Sequence, residues 1–179
     1  MTQEQNDGQA QEQLDSKSAQ SLFAGYGGEE LPLAQYAELV GIYGAGLATF
    51  LLAAKNANRQ LPENIEVGDI LLLGVATHKL SRLIAKDRVT APFRAPFVEY
   101  EGSAGTSELK EKPRGSGMQR ALGDLLTCPW CMGAWVAAGL TYSFVFRPRT
   151  TRLISSILAV TTISDWLNSA YEAAKKEAK

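Results

Sequence analysis

The residues of this 179-residue chain best suited to chemistry are its two cysteines, in the segment Cys128-Pro129-Trp130-Cys131. Two thiols at this spacing suit thiol–disulfide exchange, half of a four-ligand zinc site, or a structural turn. A zinc site would need the single histidine, His78, and a carboxylate, whereas a thioredoxin-like redox motif would need a preceding strand. We therefore expect a structural, reduced pair, with no metal and no cofactor.

The two thiols are predicted to differ in reactivity. Pro129 suits the first turn of a helix, which places Cys128 at the helix N-terminus, where the dipole favours a thiolate. Cys131 is expected to lie one turn further in, shielded by Trp135 four residues later.

A second group of candidate residues is basic and recurs at helical spacing. His78, Arg82 and Lys86 step by four residues, so a helix places them on one face. They form either the solvated end of a helix or a cationic site that faces other membrane helices. Asp165 is the predicted partner of this face, with Arg82 as first choice and Lys79 or His78 next. The candidate binding residues are His78, Lys79, Arg82, Lys86, Arg88, Arg94 and Asp165.

The elements that position these residues are predicted from uncharged stretches. Leu39 to Ala54 and Leu125 to Phe146 carry no charge, and about 20 apolar residues cross a bilayer as a helix. Small residues four apart, such as Gly133 and Ala137, are typical of closely packed membrane helices. We predict an all-α membrane bundle with four transmembrane helices, near 37–55, 67–86, 129–147 and 152–171.

The polar segments complete the predicted organisation. Residues 1–30 lack apolar content and are predicted to be a disordered tail, and 175–179 form a charged tail. Within the membrane domain, 31–174, a middle loop spans 87–127, where Pro92 and Pro96 oppose a helix interior and residues 118–126 suit a short amphipathic helix. Basic residues concentrate in this loop, so the positive-inside bias predicts a multi-pass protein of the cytoplasmic membrane with that loop and both termini cytoplasmic.

Composition and motifs narrow the function classes. A net charge of -1 argues against nucleic-acid binding, and no P-loop, dinucleotide fingerprint or nucleophile elbow is present. These observations favour a non-enzymatic envelope protein that binds a partner or lipid head groups through the middle loop and the Cys-Pro-Trp-Cys turn. The expected partners are membrane lipids and another membrane or cytoplasmic protein.

Two alternatives stay open. One is a membrane thiol–disulfide oxidoreductase that uses Cys128 and Cys131. The other is binding of an anionic lipid or metabolite at His78, Lys79 and Arg82.

Three motifs together carry a family resemblance. They are the run from Ala76 to Phe97 (ATHKLSRLIAKDRVTAPFRAPF), Glu101-Gly102, and the run from Asp124 to Trp135 (DLLTCPWCMGAW). This set resembles the bacterial family catalogued as domain of unknown function thirteen-sixty, over roughly Asp69 to Tyr171. The resemblance implies a small integral membrane protein. Some members in spore-forming bacteria are described as sporulation proteins. It implies no activity and no catalytic residue.

Overall fold

The computed structural model describes Tyr26 and residues 31–177, so the predicted N-terminal tail lies almost entirely outside the described residues. Six α-helices, one short 3-10 turn and two strands make up this part of the chain. The helices are α1 (Leu33–Asn56), α2 (Val67–Ala85), α3 (Ala91–Arg94), α4 (Gly117–Thr127), α5 (Pro129–Phe146) and α6 (Pro148–Glu177). The 3-10 turn is Arg88–Thr90, and the strands are β1 (Val98–Ser103) and β2 (Leu109–Pro113).

Proline and cysteine set the limits of α5 and α6. Pro129 occupies the first turn of α5, and the Cys128 sulfur caps the helix by accepting a hydrogen bond from the Cys131 backbone N–H. Pro148 restricts Arg147, so α5 ends there and α6 begins at once. The predicted helix start at Pro129 and the predicted short amphipathic helix, α4, are confirmed.

The core lies where α2 packs between α5 and α6. Its buried members are Leu73, Ala76, Met132, Val136, Leu140 and Phe144. Two ion pairs join α2 to α6, Asp69 with Arg152 and Lys79 with Asp165. Because residue numbers rise together in the two pairs, α2 and α6 run in the same direction.

Aromatic rings join α1 to α5 at steps of seven residues. Tyr43 meets Trp135 edge to face at 5.2 Å between ring centroids, and Phe50 stacks on Tyr142 at 4.2 Å. One heptad earlier, the Tyr36 hydroxyl donates a 2.7 Å hydrogen bond to Asp124 of α4. The two helices are therefore parallel, and α1 begins beside α4.

A β-hairpin forms within the predicted middle loop, where we expected no strand. Its antiparallel register pairs Glu99 with Lys112 and Ser103 with Leu109. The hairpin packs on α4 at Gly123, where an added Cβ would lie 2.5 Å from the Phe97 carbonyl oxygen. A larger residue at that position would push the hairpin away from α4.

The predicted four-span membrane bundle is wrong. Within the described residues, only α1 is long and apolar enough to cross a membrane, and just one of its residues, Ala54, is buried. The helices near 67–86, 129–147 and 152–171 exist but are not membrane spans by length and composition. Charged residues that pair across helices, such as Lys79 and Asp165, interrupt the apolar stretches of α2 and α6. The multi-pass topology with both termini cytoplasmic therefore has no support.

Candidate functional site

The polar end of the molecule, residues 86–131, contains most of the candidate residues and is organised around Arg94. The Arg94 side chain is 1% exposed. Its Nε donates to Glu111 at 2.6 Å, and Nη1 donates to the Ile84 carbonyl at 2.7 Å and to the Thr90 hydroxyl at 2.6 Å. Nη2 donates to the Asp87 carbonyl at 3.0 Å. Arg94 therefore holds the end of α2, the 3-10 turn and β2 together, and its charge is not free for a ligand.

The basic face of α2 is divided between two partners. Lys79 pairs with Asp165 of α6 at 2.6 Å, whereas Arg82, our first choice for that pairing, binds Glu108 beside the hairpin. His78 is exposed and makes no side-chain hydrogen bond to a described residue. The structure thus does not bring His78, Lys79 and Arg82 together around one ligand.

Two other candidate cations keep their charges available. Lys86 is half-buried and Arg88 is exposed, and neither has an acidic partner within 4.0 Å among the described residues. Arg88 begins the 3-10 turn that leads into α3, at the edge of the polar end. These are the candidate residues best placed to meet an anion from outside.

Beside these cations lie two large apolar side chains in solvent. Val89 is 76% exposed and Phe93 is 80% exposed. They stand four residues apart in a nearly continuous helical segment, so they project on the same side. We call Arg88, Val89 and Phe93 the exposed ridge. We did not select Val89 and Phe93 from the sequence, although two large apolar residues one turn apart in a polar segment were a readable signal.

The Cys turn differs from expectation in two ways. The Cys128 and Cys131 sulfurs lie at bonding distance as a disulfide, with their Cα atoms 5.3 Å apart, whereas we expected reduced thiols. Cys131 is exposed and Cys128 is half-buried. The predicted shielding of Cys131 is therefore wrong, since the Trp135 ring packs against Tyr43 of α1 instead. Trp130, between the two cysteines, is 91% exposed.

Within residues 31–177, no three His, Cys, Asp or Glu side chains lie close enough to hold a metal ion. The carboxylates near the hairpin are instead engaged with cations, such as Glu111 with Arg94 and Glu108 with Arg82.

Far from the polar end, a second charged contact fixes the start of α2 to α6. Arg152 donates from Nε and Nη2 to the two oxygens of Asp69 at 2.8 and 2.7 Å. These hydrogen bonds lower the pKa of the Asp69 carboxyl below its ordinary value. The same guanidinium lies 5.2 Å from the centre of the Phe144 ring. This contact ties the start of α2 to α6, with the Asp69 carboxylate 9% exposed and both of its oxygens bound by Arg152.

A family model described as protein of unknown function (DUF1360) matches residues 72–171. The chain belongs to this family. The match confirms the resemblance seen in the motifs. It runs from α2 into α6, so it includes the whole polar end and leaves α1 outside.

Two relatives of the chain come from Bacillus subtilis (strain 168). Sporulation protein YjcA is 31% identical over 109 residues, which cover 55% of this chain and 92% of the relative. UPF0713 protein YngL is 29% identical over 93 residues, which cover 50% of this chain and 68% of the relative. No solved structure matches the chain.

Proposed function

We propose that this DUF1360 protein is a non-enzymatic, membrane-associated protein whose polar end binds anionic lipid head groups. The exposed ridge is the observation that carries the proposal. Phe93 and Val89 are largely in solvent, with Arg88 on the ridge and Lys86 two residues before it. Apolar side chains beside unpaired cations are typical of surfaces that enter the head-group region of a membrane.

The position of α1 supports this role. α1 is the helix long and apolar enough to cross a membrane, and its first turn is tied to α4 through Tyr36 and Asp124. Because that turn lies at one end of the apolar helix, we place the polar end at the level of the head groups. The polar end also contains seven basic residues against six acidic ones, a balance that suits an anionic surface. The basic residues are Lys86, Arg88, Arg94, Lys110, Lys112, Arg114 and Arg120.

The charges of the polar end favour binding over catalysis. Glu111 is 5% exposed and held by Arg94, and Glu108 is held by Arg82. A general acid or base needs an open approach to a substrate proton. Among the described residues of the polar end, Lys86, Arg88 and Arg114 have no acidic partner within 4.0 Å, whereas Asp87 is the one carboxylate without a basic partner. The excess of cations without a counter-charge suits an anion.

The test compares lipids on purified, detergent-solubilised full-length protein. Phosphatidylglycerol is expected to raise the unfolding temperature, whereas phosphatidylcholine leaves it nearly unchanged. Lys86→Gln together with Arg88→Gln should abolish that increase. Arg149→Gln is the matched control, because Arg149 is an exposed arginine in the first turn of α6, away from the polar end, and should keep the increase. Equal responses to the two lipids, or an increase retained by the double variant, would contradict lipid binding and leave a protein partner as the better explanation.

A second candidate function is thiol–disulfide exchange at the Cys turn, favoured by the exposed Cys131 sulfur. An incoming thiolate would attack Cys131, the S–S bond would break, and Cys128 would leave as a thiolate stabilised by the Cys131 N–H. A second thiolate would then attack the sulfur of the first thiol and displace Cys131 as a thiolate. The two external thiols leave joined by a disulfide, and the protein pair is reduced.

The reduction potential of the pair tests this alternative. Equilibration in glutathione buffers, followed by alkylation, measures the potential on the full-length protein. A value above about −270 mV fits an exchange catalyst, whereas one below about −300 mV fits a structural disulfide.

A further inference from the structure

The last helix extends well beyond the elements that pack against it. α6 has 30 residues, and its buried residues, Thr151, Ser155 and Thr162, all lie in its first half. From Ile163 to Glu177 every residue is exposed. A free helix of this length is marginal in water. This half of α6 therefore needs a covering surface that the described chain does not provide.

The exposed side of α6 has the spacing of a coiled-coil seam. We define the α6 stripe as Leu153, Ile157, Val160, Ser164, Leu167 and Tyr171. Its positions step by four, three, four, three and four residues, which is the alternation of a and d positions in a heptad. The five apolar members are each more than half exposed. Ser155 and Thr162, which face the bundle, lie on the opposite side of the helix.

The charges around the stripe select its partner. No charged residue lies between Arg152 and Asp165, and Asp165 is paired with Lys79. Ile154 and Ile163, both about half exposed, flank the stripe with further apolar surface. A charged surface docked on this stripe would have its charges buried without a counter-charge, which is costly. A second α6 stripe brings no charge into the contact.

We propose that two copies of this chain associate through their α6 stripes to form a homodimer. Identical surfaces facing each other form a closed two-fold contact, which limits the assembly to two copies. The interdigitated seam runs over about 27 Å of helix from Leu153 to Tyr171. It covers the half of α6 that the rest of the chain leaves exposed.

Site-specific photocrosslinking of the full-length chain tests the contact. A benzophenone amino acid replaces Val160 or Leu167 in the stripe, or Ser169 outside it, in cells that make two differently tagged copies. On illumination, benzophenone at either stripe position should link the two differently tagged chains covalently. The yield should be at least ten times the yield obtained with benzophenone at Ser169. The proposal is overturned if no chains are linked at any of the three positions, which is the result expected if lipid covers the stripe. It is also overturned if the yields at the three positions are equal.

A charge placed in the seam gives a second test. Val160→Glu should lower the crosslinking yield from Leu167 at least ten-fold, because two facing carboxylates would repel inside an apolar contact. Ser169→Glu adds the same charge outside the stripe and should leave that yield unchanged. Equal yields in the two variants contradict a seam through Val160.

Discussion

The polar end and the contact between α2 and α6 each contain an ion pair, and the two pairs differ in how deeply they are buried. At the polar end, Arg94 and Glu111 are 1% and 5% exposed and belong to a network of hydrogen bonds. Between α2 and α6, Lys79 and Asp165 are 20% and 53% exposed and form a single contact. Burial makes the first pair costly to break, while water screens the second. The comparison implies that buried charge fixes the polar end, whereas the Lys79–Asp165 pair adds little to a bundle held by apolar packing and by the bidentate Asp69–Arg152 contact.

The largest expected effect is at the buried pair. Arg94→Ala leaves the Glu111 carboxylate buried without a partner and should lower the free energy of unfolding by about 3–5 kcal/mol. Lys112→Ala is the control. It breaks the exposed Lys112–Glu99 pair of the hairpin that contains Glu111, and it should cost at most about 1 kcal/mol. Chemical denaturation of the two variants measures the difference. Equal losses would mean that the polar end is not fixed by the buried charge.

A smaller effect is expected from the packing of the hairpin on α4. Gly123→Ala puts a Cβ 2.5 Å from the Phe97 oxygen and 2.9 Å from the Pro113 Cβ, which should cost about 1–3 kcal/mol. Gly139→Ala in α5 meets no atom within 4 Å and should be neutral or stabilising by up to about 1 kcal/mol. Thermal unfolding of both variants checks the prediction, which fails if Gly123→Ala is the more stable protein.

The Asp69–Arg152 contact predicts a dependence of stability on pH. The folded chain lowers the pKa of Asp69 from its ordinary 3.8, so folding favours the ionised carboxylate. The stabilisation is complete above the ordinary pKa and disappears as pH falls through the lowered one. Asp69→Asn should therefore be less stable than the wild type at pH 7, and the gap should close in acid. A gap that stays constant between pH 7 and pH 2 would exclude the ionised pair as its cause.

The smallest expected effect is at the exposed pair between α2 and α6. A double-mutant cycle of Lys79→Gln and Asp165→Asn should give a coupling energy of about 0.2–1 kcal/mol. The cycle of Arg82→Gln with Asp165→Asn should be additive, since Arg82 binds Glu108. Coupling through Arg82 instead of Lys79 would restore the pairing first expected from the sequence.

The positions of the four long helices were predictable from the sequence, but their environment was not. The expected spans near 67–86 and 129–147 nearly coincide with Val67–Ala85 and Pro129–Phe146. Uncharged stretches and prolines predict the positions of helices well, because both signals depend only on residues that are close in the sequence. Whether a helix crosses a membrane depends on its whole composition, and Lys79 and Asp165 lie within two of the predicted spans.

The hairpin and its buried arginine were not predictable by the same means. Residues 98–113 are rich in Glu, Lys and Gly, which are depleted in strands. The usable signal was the match of Glu99 and Glu101 with Lys112 and Lys110 on facing strands. Arg94 gave no local sign of burial, because its partners come from three separate elements.

The aromatic contacts between α1 and α5 also left a signal that we did not use. Tyr36, Tyr43 and Phe50 recur every seven residues, as do Trp135 and Tyr142. Matched heptads of rings in two largely apolar helices indicate parallel packing, and the structure has that packing.

The separation of the α2 and α6 partners along the chain has a consequence for synthesis on the ribosome. Asp69 and Lys79 lie 83 and 86 residues before Arg152 and Asp165. At ribosomal speeds of about 5–20 residues per second, each α2 charge waits roughly 4–17 seconds for its partner. The contacts of Arg94 lie within 17 residues, so they are translated almost together. The nascent polar end can thus mature while α2 still lacks its charged partners on α6.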